Sequence, residues 1–110
     1  MTERVKQNSA KEEFYFRILE LVSKIPKGKV TTYKNLAIAG GKPRSSRLVG
    51  WILNKSPLGL PCHRVVNRNG ELTGKFAFGD SQMMKKLLES EGIEFDSKER
   101  VNLTKHLWIF

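Results

Sequence analysis

The chain has little cysteine and no long apolar run, and each shortage excludes a class of protein. Its 110 residues include one cysteine, so no intrachain disulfide can form, as is typical of cytosolic proteins. One cysteine with His63 and His106 cannot complete a tetrahedral Cys/His zinc site, and a chain of this size has no room for a cofactor domain, so neither metal nor cofactor is expected. No stretch approaches the ~18 consecutive apolar residues of a membrane span, and residues 1–13 hold no signal-peptide core. We therefore expect a cytoplasmic protein without membrane association.

Acidic residues are also scarce. Lys and Arg number 20 against 11 Asp and Glu, which gives a formal net charge of +9 at pH 7. This balance favours a polyanionic partner, because Lys and Arg release counterions from phosphates when they bind. The alternative is a basic protein that its charge merely keeps soluble, since net charge speaks to non-specific binding and not to fold. The length predicts a single domain, residues 11–110, behind a flexible segment, residues 1–10.

Local patterns predict a mainly α domain with a small β-hairpin. Ser9–Glu12 matches a capping box that would start an amphipathic helix, and Pro26 would end that helix. Asn67–Gly70 is a strong turn signal between two β-prone runs, Arg64–Val66 and Glu71–Thr73, which predicts the hairpin. The apolar residues expected on the inner face of the first helix are Phe14, Ile18, Leu21, Val22 and Ile25.

The last third of the chain predicts a further helix and a packed tail. Asp80 would cap the helix and Gly92 would end it. Its expected buried residues are Met83, Met84, Leu87 and Leu88. We expect residues 101–110 to pack on the domain, because exposed aromatic residues at that density would aggregate.

The middle of the chain has the outline of a helix-turn-helix. Thr31 or Thr32 can cap a short helix over Tyr33–Ala39, and Gly40-Gly41 provides the left-handed ending that only glycine adopts cheaply. A second helix is predicted over about residues 43–55, with arginines outward. Its inner residues would be Val49, Ile52 and Leu53, and its opposite face would carry Arg44, Arg47, Trp51 and Lys55. The alternative is an ordinary helical pair whose outer face is only solvated, and the two interpretations stand about level.

The only thiol lies in the segment Pro61-Cys62-His63-Arg64-Val65. A thiolate is the nucleophilic form of cysteine, and an unassisted cysteine supplies only a small fraction of it at neutral pH. The neighbouring imidazole can remove the thiol proton directly or through a water, and Arg64 would add positive potential. The alternative is that Cys62 is an inert small hydrophobic residue, as most single buried cysteines are.

The segment Pro61–Val66 resembles the active-site motif of the O6-alkylguanine-DNA alkyltransferases. Other segments resemble motifs of the same family in the same order: Ile25–Tyr33 the approach to its helix-turn-helix, Arg47–Gly50 its arginine finger, Asn67–Gly74 the turn after its cysteine, and Leu87–Gly92 its closing helix. The resemblance extends from about Phe14 to Phe95. It implies a winged-helix-like helix-turn-helix domain.

The resemblance also implies an activity and a catalytic set. The implied substrate is double-stranded DNA that contains O6-alkylguanine, which the protein flips into a pocket before it transfers the alkyl group to cysteine once, without turnover. Cys62 would be the acceptor, His63 its proton relay through water, and Glu91 the carboxylate that orients the imidazole. If the residues stood alone, a satisfied core histidine at His63 and a solvated last-turn residue at Glu91 would be the favoured interpretations. No dimerisation segment is evident, so we expect a monomer.

Further residues are assigned to DNA and to the lesion pocket by the same resemblance. Arg47 would fill the gap left by the flipped base, and Tyr33 would rotate the 3′ phosphate. The other expected DNA contacts are Arg44, Ser46 and Trp51. The expected pocket or hinge residues are Asn54, Ser56, Pro61, Arg64 and Lys75: the family's hinge asparagine aligns with Ser56, two residues after Asn54, and Lys75 stands where a pocket tyrosine is expected.

The chain also departs from the family pattern. The family's N-terminal domain has no counterpart in these 110 residues, and the loop before Pro61 is short. A compact length and a tail with Trp108 resemble the alkyltransferase-like proteins, which bind alkylguanine lesions without methyl transfer and hand them to excision-repair proteins. Those proteins usually carry tryptophan in place of the cysteine, so Cys62 favours transfer. A transcription regulator is disfavoured, because it would leave Cys62, His63 and Glu91 unexplained.

Overall fold

The computed structural model describes residues 2–55, 59–73 and 81–110, and these ranges form five α-helices and a small parallel sheet. In chain order the elements are α1 (Thr2–Ser23), β1 (Thr31–Thr32), α2 (Tyr33–Ala39), α3 (Ser46–Asn54), a 3-10 turn (Cys62–Arg64), β2 (Val65–Val66), α4 (Ser81–Ser90) and α5 (Leu103–His106). The mainly α architecture with a small sheet is therefore confirmed.

Helix α1 is longer than its capping signal predicts. It begins at Thr2, so Ser9–Glu12 lies inside the helix and does not cap it. The residues before Ser9 include neither glycine nor proline, and helix can therefore continue through them at little cost. The helix ends at Ser23, just before Pro26, as expected. The assignment of residues 1–10 to a flexible segment stays a prediction.

Helix α2 has the bounds that the sequence predicts. Thr32 is its N-cap, and the Thr32 hydroxyl oxygen accepts a hydrogen bond from the backbone N–H of Asn35 at 3.1 Å. The left-handed residue after the helix is Gly41, with φ +93°, whereas Gly40 has φ −78°. Gly40 is needed for space, because a Cβ there would lie 2.8 Å from Cδ1 of Ile18 on α1.

Replacing Gly40 with Ala is expected to lower the free energy of unfolding by about 1–3 kcal/mol, the usual cost of overpacking. The added Cβ would also meet Cε1 of Phe14 at 3.0 Å. Gly50 on α3 is the matched control, since a Cβ there would have ordinary contact with Tyr33 at 3.7 Å. Gly50→Ala is expected to stabilise by about 0.5–1 kcal/mol, because alanine suits a helix better than glycine. Urea unfolding followed by circular dichroism measures both, and equal effects of the two changes would contradict the packing argument.

Helix α3 begins later than predicted. Its first residue is Ser46, and Arg44 lies in a turn before the helix, so Arg44 does not belong to the helical face assigned to it. Pro43 restricts the preceding residue and opens a turn that the chain must complete before the helix can start. The inner face is confirmed: the buried residues of α3 are Val49, Ile52 and Leu53.

The predicted β-hairpin is wrong. Strand β2 pairs with β1 in parallel, with Thr31 opposite Val65 and Thr32 opposite Val66, and Glu71–Thr73 forms no strand. The turn itself is present, but the Asn67 side chain accepts the backbone N–H of Glu71 at 2.9 Å. The backbone N–H of Asn67 does donate to the carbonyl of Glu71 at 3.2 Å, but the N–H of Glu71 is taken by the Asn67 side chain, and the buried valines of β2 pair with β1.

The sheet separates two clusters of buried side chains. Val65 belongs to the first cluster and Val66 to the second, because successive side chains of a strand point to opposite faces. The first cluster joins α1, α2 and α3 and includes Cys62. The second cluster consists of Val30, Val66, Leu88, Ile93 and Val101. The cysteine turn is thus fixed from both sides of the strand that follows it.

Helix α4 differs from its prediction at one position. Met84 and Leu88 are fully buried and Leu87 is partly buried, whereas Met83 is 50% exposed. At 100° per residue, Met83 points about 120° away from the mean direction of Met84 and Leu88. Asp80, the predicted cap, lies outside the described residues. Gly92 has φ +87° and follows the helix end, as predicted.

The tail packs on the domain as far as Trp108. The backbone of Val30 donates to His106 at 2.9 Å and accepts from Trp108 at 2.7 Å, which places the tail beside β1. Ile109 and Phe110 are exposed, so the prediction holds only for the preceding residues. His106 is buried, donates from Nδ1 to the carbonyl of Gly28 and accepts at Nε2 from a backbone N–H. This histidine therefore serves the fold.

Candidate active site and nucleic-acid interface

Cys62 is the first residue of the 3-10 turn that leads into β2. Pro61 is the N-cap of this turn, and its carbonyl accepts from the N–H of Arg64 at 3.0 Å. The backbone N–H of Cys62 donates to Leu60 at 2.8 Å. Because the turn is closed by these two bonds and followed by buried Val65, the thiol has a defined position, 8% exposed, at the edge of the first core cluster.

His63 and Glu91 form a hydrogen bond that joins the cysteine turn to the end of α4. Nε2 of His63 lies 2.9 Å from Oε2 of Glu91, and the two side chains are only 12% and 11% exposed. A carboxylate can only accept, so Nε2 carries the hydrogen in this contact. Nδ1 of the neutral imidazole then carries the lone pair that can accept a proton. The structure thus brings the predicted residues His63 and Glu91 into hydrogen-bond contact, although 28 positions separate them in the sequence.

Glu91 is held ionised by its partners. Burial raises the pKa of the carboxyl group, but hydrogen bonds from Arg64 and His63, with their charges, outweigh burial and hold the pKa below its usual value. Glu91 follows the last residue of α4, where the helix dipole places partial negative charge, so neighbouring cations are favoured there.

Arg64 occupies a position that sequence analysis did not foresee. It was expected to add positive potential at Cys62, but its guanidinium binds Glu91 through two parallel bonds, Nε to Oε1 at 2.9 Å and Nη2 to Oε2 at 2.8 Å. Its third nitrogen, Nη1, donates to the carbonyl of Ile25 at 2.7 Å. No local signal could reveal this pair, because 27 positions separate Arg64 from Glu91 in the sequence.

Tyr33 is the first residue of α2. Its ring packs beside Gly50 of α3, and its hydroxyl oxygen accepts from the hydroxyl of Thr73 at 3.3 Å. Burial raises the pKa of Tyr33 above its usual value, and the hydrogen bond from Thr73 opposes this rise. Tyr33 also packs against the first core cluster, which contains Cys62. Thr73 is a further residue of this site, and no sequence signal predicted its contact with Tyr33.

The outer surface of α3 and the turn before it presents cationic and aromatic side chains, and we call it the α3 surface. Its members are Arg44, Ser46, Arg47, Trp51 and Lys55, of which all but Ser46 are exposed. Trp51 is 58% exposed, and Nζ of Lys55 lies 4.0 Å from its ring centroid. Neither Arg44 nor Arg47 forms an ion pair with a residue that the structure describes. Their charges are therefore available to an anionic ligand.

The pocket and hinge residues are described only in part. Asn54 is exposed at the last residue of α3, and Pro61 is half-buried at the start of the cysteine turn. Ser56 and Lys75 lie outside the described residues. Within the ranges 2–55, 59–73 and 81–110, no group of three or more His, Cys, Asp or Glu residues could hold a metal ion. The helices of the same ranges include none that is long and apolar enough to cross a membrane.

The sequence matches a known protein family over most of its length. A family model described as "6-O-methylguanine DNA methyltransferase, DNA binding domain" matches residues 13–93. The chain belongs to this family. This is the family of DNA-repair proteins to which the sequence resemblance pointed. The expected winged-helix-like helix-turn-helix fold is also confirmed.

The relatives of this chain are named for two different activities, base flipping and methyl transfer. The chain is 39% identical over 101 residues to a DNA base-flipping protein of Escherichia coli, which covers 88% of this chain and 75% of that protein. It is 40% identical over 88 residues to a methylated-DNA–protein-cysteine methyltransferase of Methanothermobacter thermautotrophicus, a match that covers 78% of this chain and 48% of the relative. The family therefore includes proteins named for base flipping as well as proteins named for methyl transfer.

A solved structure resembles this family member over most of its length. The crystal structure of Atl1 from Schizosaccharomyces pombe, in complex with damaged DNA containing O6-carboxymethylguanine, superposes with a TM-score of 0.76. The two chains are 33% identical, and the superposition covers 88% of this chain and 95% of Atl1. The shared fold thus extends over most of both chains.

Proposed function

We propose that the protein repairs DNA by flipping an O6-alkylguanine out of the duplex and transferring the alkyl group irreversibly to Cys62. The observation that carries the proposal is the contact between His63 and Glu91 at 2.9 Å, beside the only thiol of the chain. A glutamate that was merely solvated, or a histidine isolated in the core, would not form this contact. Each molecule would act once, because the thioether formed on Cys62 is stable and does not return to a thiol.

The proposed reaction begins at the thiol. The proton of Sγ passes to Nδ1 of His63, directly or through one water, and Glu91 stabilises the imidazolium that forms. The sulfur electron pair then attacks the alkyl carbon, and the carbon–sulfur bond forms as the carbon–O6 bond breaks. The electron pair of the broken bond stays on the guanine, which takes up one proton in place of the alkyl group. The proton lost by Cys62 thus balances the proton gained by guanine.

The α3 surface is the proposed DNA interface. An α-helix fits a duplex groove, and the charges of Arg44 and Arg47, which form no ion pair with a described residue, suit phosphate. Arg47 would enter the space left by the flipped nucleotide, since a planar guanidinium can stack there. Tyr33, the first residue of α2, would rotate the 3′ phosphate of the flipped nucleotide. Ser46 and Trp51 would contact DNA beside Arg47, and Asn54, Ser56, Pro61 and Lys75 would border the hinge or the pocket.

The remaining features of the proposal concern the whole protein. We expect residues 11–110 to act as one domain, as a monomer bound to double-stranded DNA in the cytoplasm. Atl1 of S. pombe is in complex with damaged DNA containing O6-carboxymethylguanine. This similarity supports a lesion with a substituted O6 atom as the substrate class.

A second candidate function is lesion binding without transfer, with recruitment of excision-repair proteins. It is favoured by the similarity to Atl1 over 88% of this chain and to the DNA base-flipping protein of E. coli. Both functions require the α3 surface and base flipping. They differ at Cys62, which would be alkylated under the first function and unchanged under the second.

Incubation with duplex DNA containing O6-methylguanine is expected to methylate Cys62 in every molecule. Intact-mass analysis would detect the gain of one CH2 group per chain, and peptide mapping would assign it to the only cysteine. Cys62→Ser is the matched control, which should bind the same DNA without the mass gain. Tight lesion binding by the wild type with no mass gain would establish the second candidate function.

A further inference from the structure

The Arg64 guanidinium, two residues after Cys62, forms hydrogen bonds through all of its nitrogens, and the proposed transfer does not use it directly. All three of its nitrogens donate: two to the Glu91 carboxylate, and Nη1 to the carbonyl of Ile25. Arg64 and Glu91 are each only 11% exposed. Two parallel bonds of this kind prevent a carboxylate from rotating, which a single lysine bond would not do.

The carboxylate that Arg64 holds is the same group that holds His63. Oε2 of Glu91 accepts from Nη2 of Arg64 at 2.8 Å and from Nε2 of His63 at 2.9 Å. His63 and Arg64 are consecutive residues of the cysteine turn, and both reach one carboxylate at the end of α4. Any rotation of the carboxylate would therefore turn the imidazole ring relative to Cys62.

The third bond gives the guanidinium a rigid support. Ile25 is 1% exposed and belongs to the first core cluster, so its carbonyl is held by the packing of the domain. The guanidinium thus connects the segment after α1, the cysteine turn and the end of α4. Among the described residues, the titratable and charged groups that act on Glu91 are Arg64 and His63.

We propose that Arg64 is a positioning residue, which fixes the Glu91 carboxylate and, through it, the ring of His63 for removal of the Cys62 proton. The inference rests on the proposed alkyl transfer, and it assigns Arg64 a role through Glu91 and no contact with the lesion.

The test measures the rate of methyl transfer from O6-methylguanine in duplex DNA as a function of pH. Arg64→Met is expected to slow transfer at neutral pH by about 10 to 10²-fold, as expected when a reacting group is displaced by an ångström. Glu91 must be ionised to accept from His63. Because Arg64 lowers the pKa of Glu91, its loss raises that pKa, and the fall in rate on acidification should begin at a higher pH.

Two further variants separate positioning from a merely structural role. Arg64→Lys keeps the charge without the two parallel bonds, so its rate should lie between those of Arg64→Met and the wild type. Arg100→Met is the matched control, because Arg100 also pairs with a carboxylate, Asp96 at 2.8 Å, but at an exposed place. It should keep the wild-type rate and pH profile. A slowed Arg64→Met protein with an unshifted pH profile would overturn the proposal.

Arg64→Met leaves a buried carboxylate without its cation, and the variant could fail to fold. The double variant Arg64→Met/Glu91→Gln removes that charge as well. Since Arg64 acts through Glu91, the double variant should transfer no more slowly than Glu91→Gln alone. Additional slowing in the double variant would overturn the proposal.

The proposed function and this inference fail in distinguishable ways. If the wild type transfers no methyl group, the proposed function is wrong, and carboxamidomethylation of Cys62 by iodoacetamide replaces methyl transfer as the measured reaction. The single cysteine makes that label unambiguous. Arg64→Met should again slow the reaction and move its acidic limb to higher pH. Identical iodoacetamide profiles for Arg64→Met and the wild type would reject the positioning role.

Discussion

Replacing His63 with Ala is expected to slow alkyl transfer to Cys62 by about 10² to 10⁴-fold, the usual contribution of a general base. Nε2 of His63 lies 2.9 Å from Oε2 of Glu91, and in the proposed mechanism Nδ1 takes the thiol proton. Without the imidazole, the reaction depends on the thiolate that Cys62 forms unaided. Single-turnover transfer from O6-methylguanine duplexes at neutral pH, read by intact mass, measures the effect.

The loss of His63 should leave DNA binding nearly unchanged, because the α3 surface carries the proposed contacts. Affinity for a lesion-containing duplex is compared between Cys62→Ser and Cys62→Ser/His63→Ala, because neither protein can react with the lesion. His106→Gln is the matched control: it removes a histidine that only supports the fold, so it should lower stability while the rate per folded molecule stays that of the wild type. Equal transfer rates for His63→Ala and the wild type would remove His63 from the mechanism.

Arg47→Ala is expected to slow repair of duplex DNA by about 10 to 10³-fold. Extruding a nucleotide costs a few kcal/mol of stacking and pairing, and each 1.36 kcal/mol of lost stabilisation is a tenfold change in rate. Arg47 is exposed in the first turn of α3 and pairs with no described acidic residue, so its guanidinium is available to fill the vacated space. Transfer from the free base O6-methylguanine, which needs no flipping, should be little changed.

The alternative role of Arg47 is a simple phosphate contact, as for many arginines on recognition helices. Arg44 offers the matched control, since it is also exposed but lies in the turn before α3. Arg44→Ala should weaken binding to damaged and undamaged DNA alike and reduce the salt slope by about 0.9, the value for one phosphate. If Arg47→Ala behaves like Arg44→Ala, and repairs duplex lesions at the wild-type rate once bound, the finger role is wrong.

Helix α2 shows what local sequence can predict. Its start depends on the Thr32 hydroxyl and its end on two adjacent glycines, so every group that decides its bounds lies within a few residues. The late start of α3 was missed, although its cause, Pro43, is local. The buried positions of α3 also followed from helical periodicity alone. The long continuation of α1 to Thr2 was missed because a good capping signal at Ser9 does not prevent a helix from starting earlier.

The candidate site was predictable to a different extent. The resemblance selected Cys62, His63 and Glu91 by motif, and the structure brings His63 and Glu91 to 2.9 Å of each other. The ion pair of Arg64 with Glu91 and the bond of Thr73 to Tyr33 had no sequence signal. Nothing in a single sequence states which of 20 Lys and Arg residues meets which carboxylate.

The sequence by itself determined the family, the mainly helical content, the cap of α2 and the location of the thiol. These depend on side chains and backbone groups that are neighbours along the chain, so the physical causes are present in the order of residues. Only the tertiary structure decided that β2 pairs with β1 in parallel, that the tail lies beside Val30 and that Arg64 holds Glu91. Each of these contacts joins groups 27 or more positions apart, and such pairs form only when burial of the whole core outweighs the local alternatives.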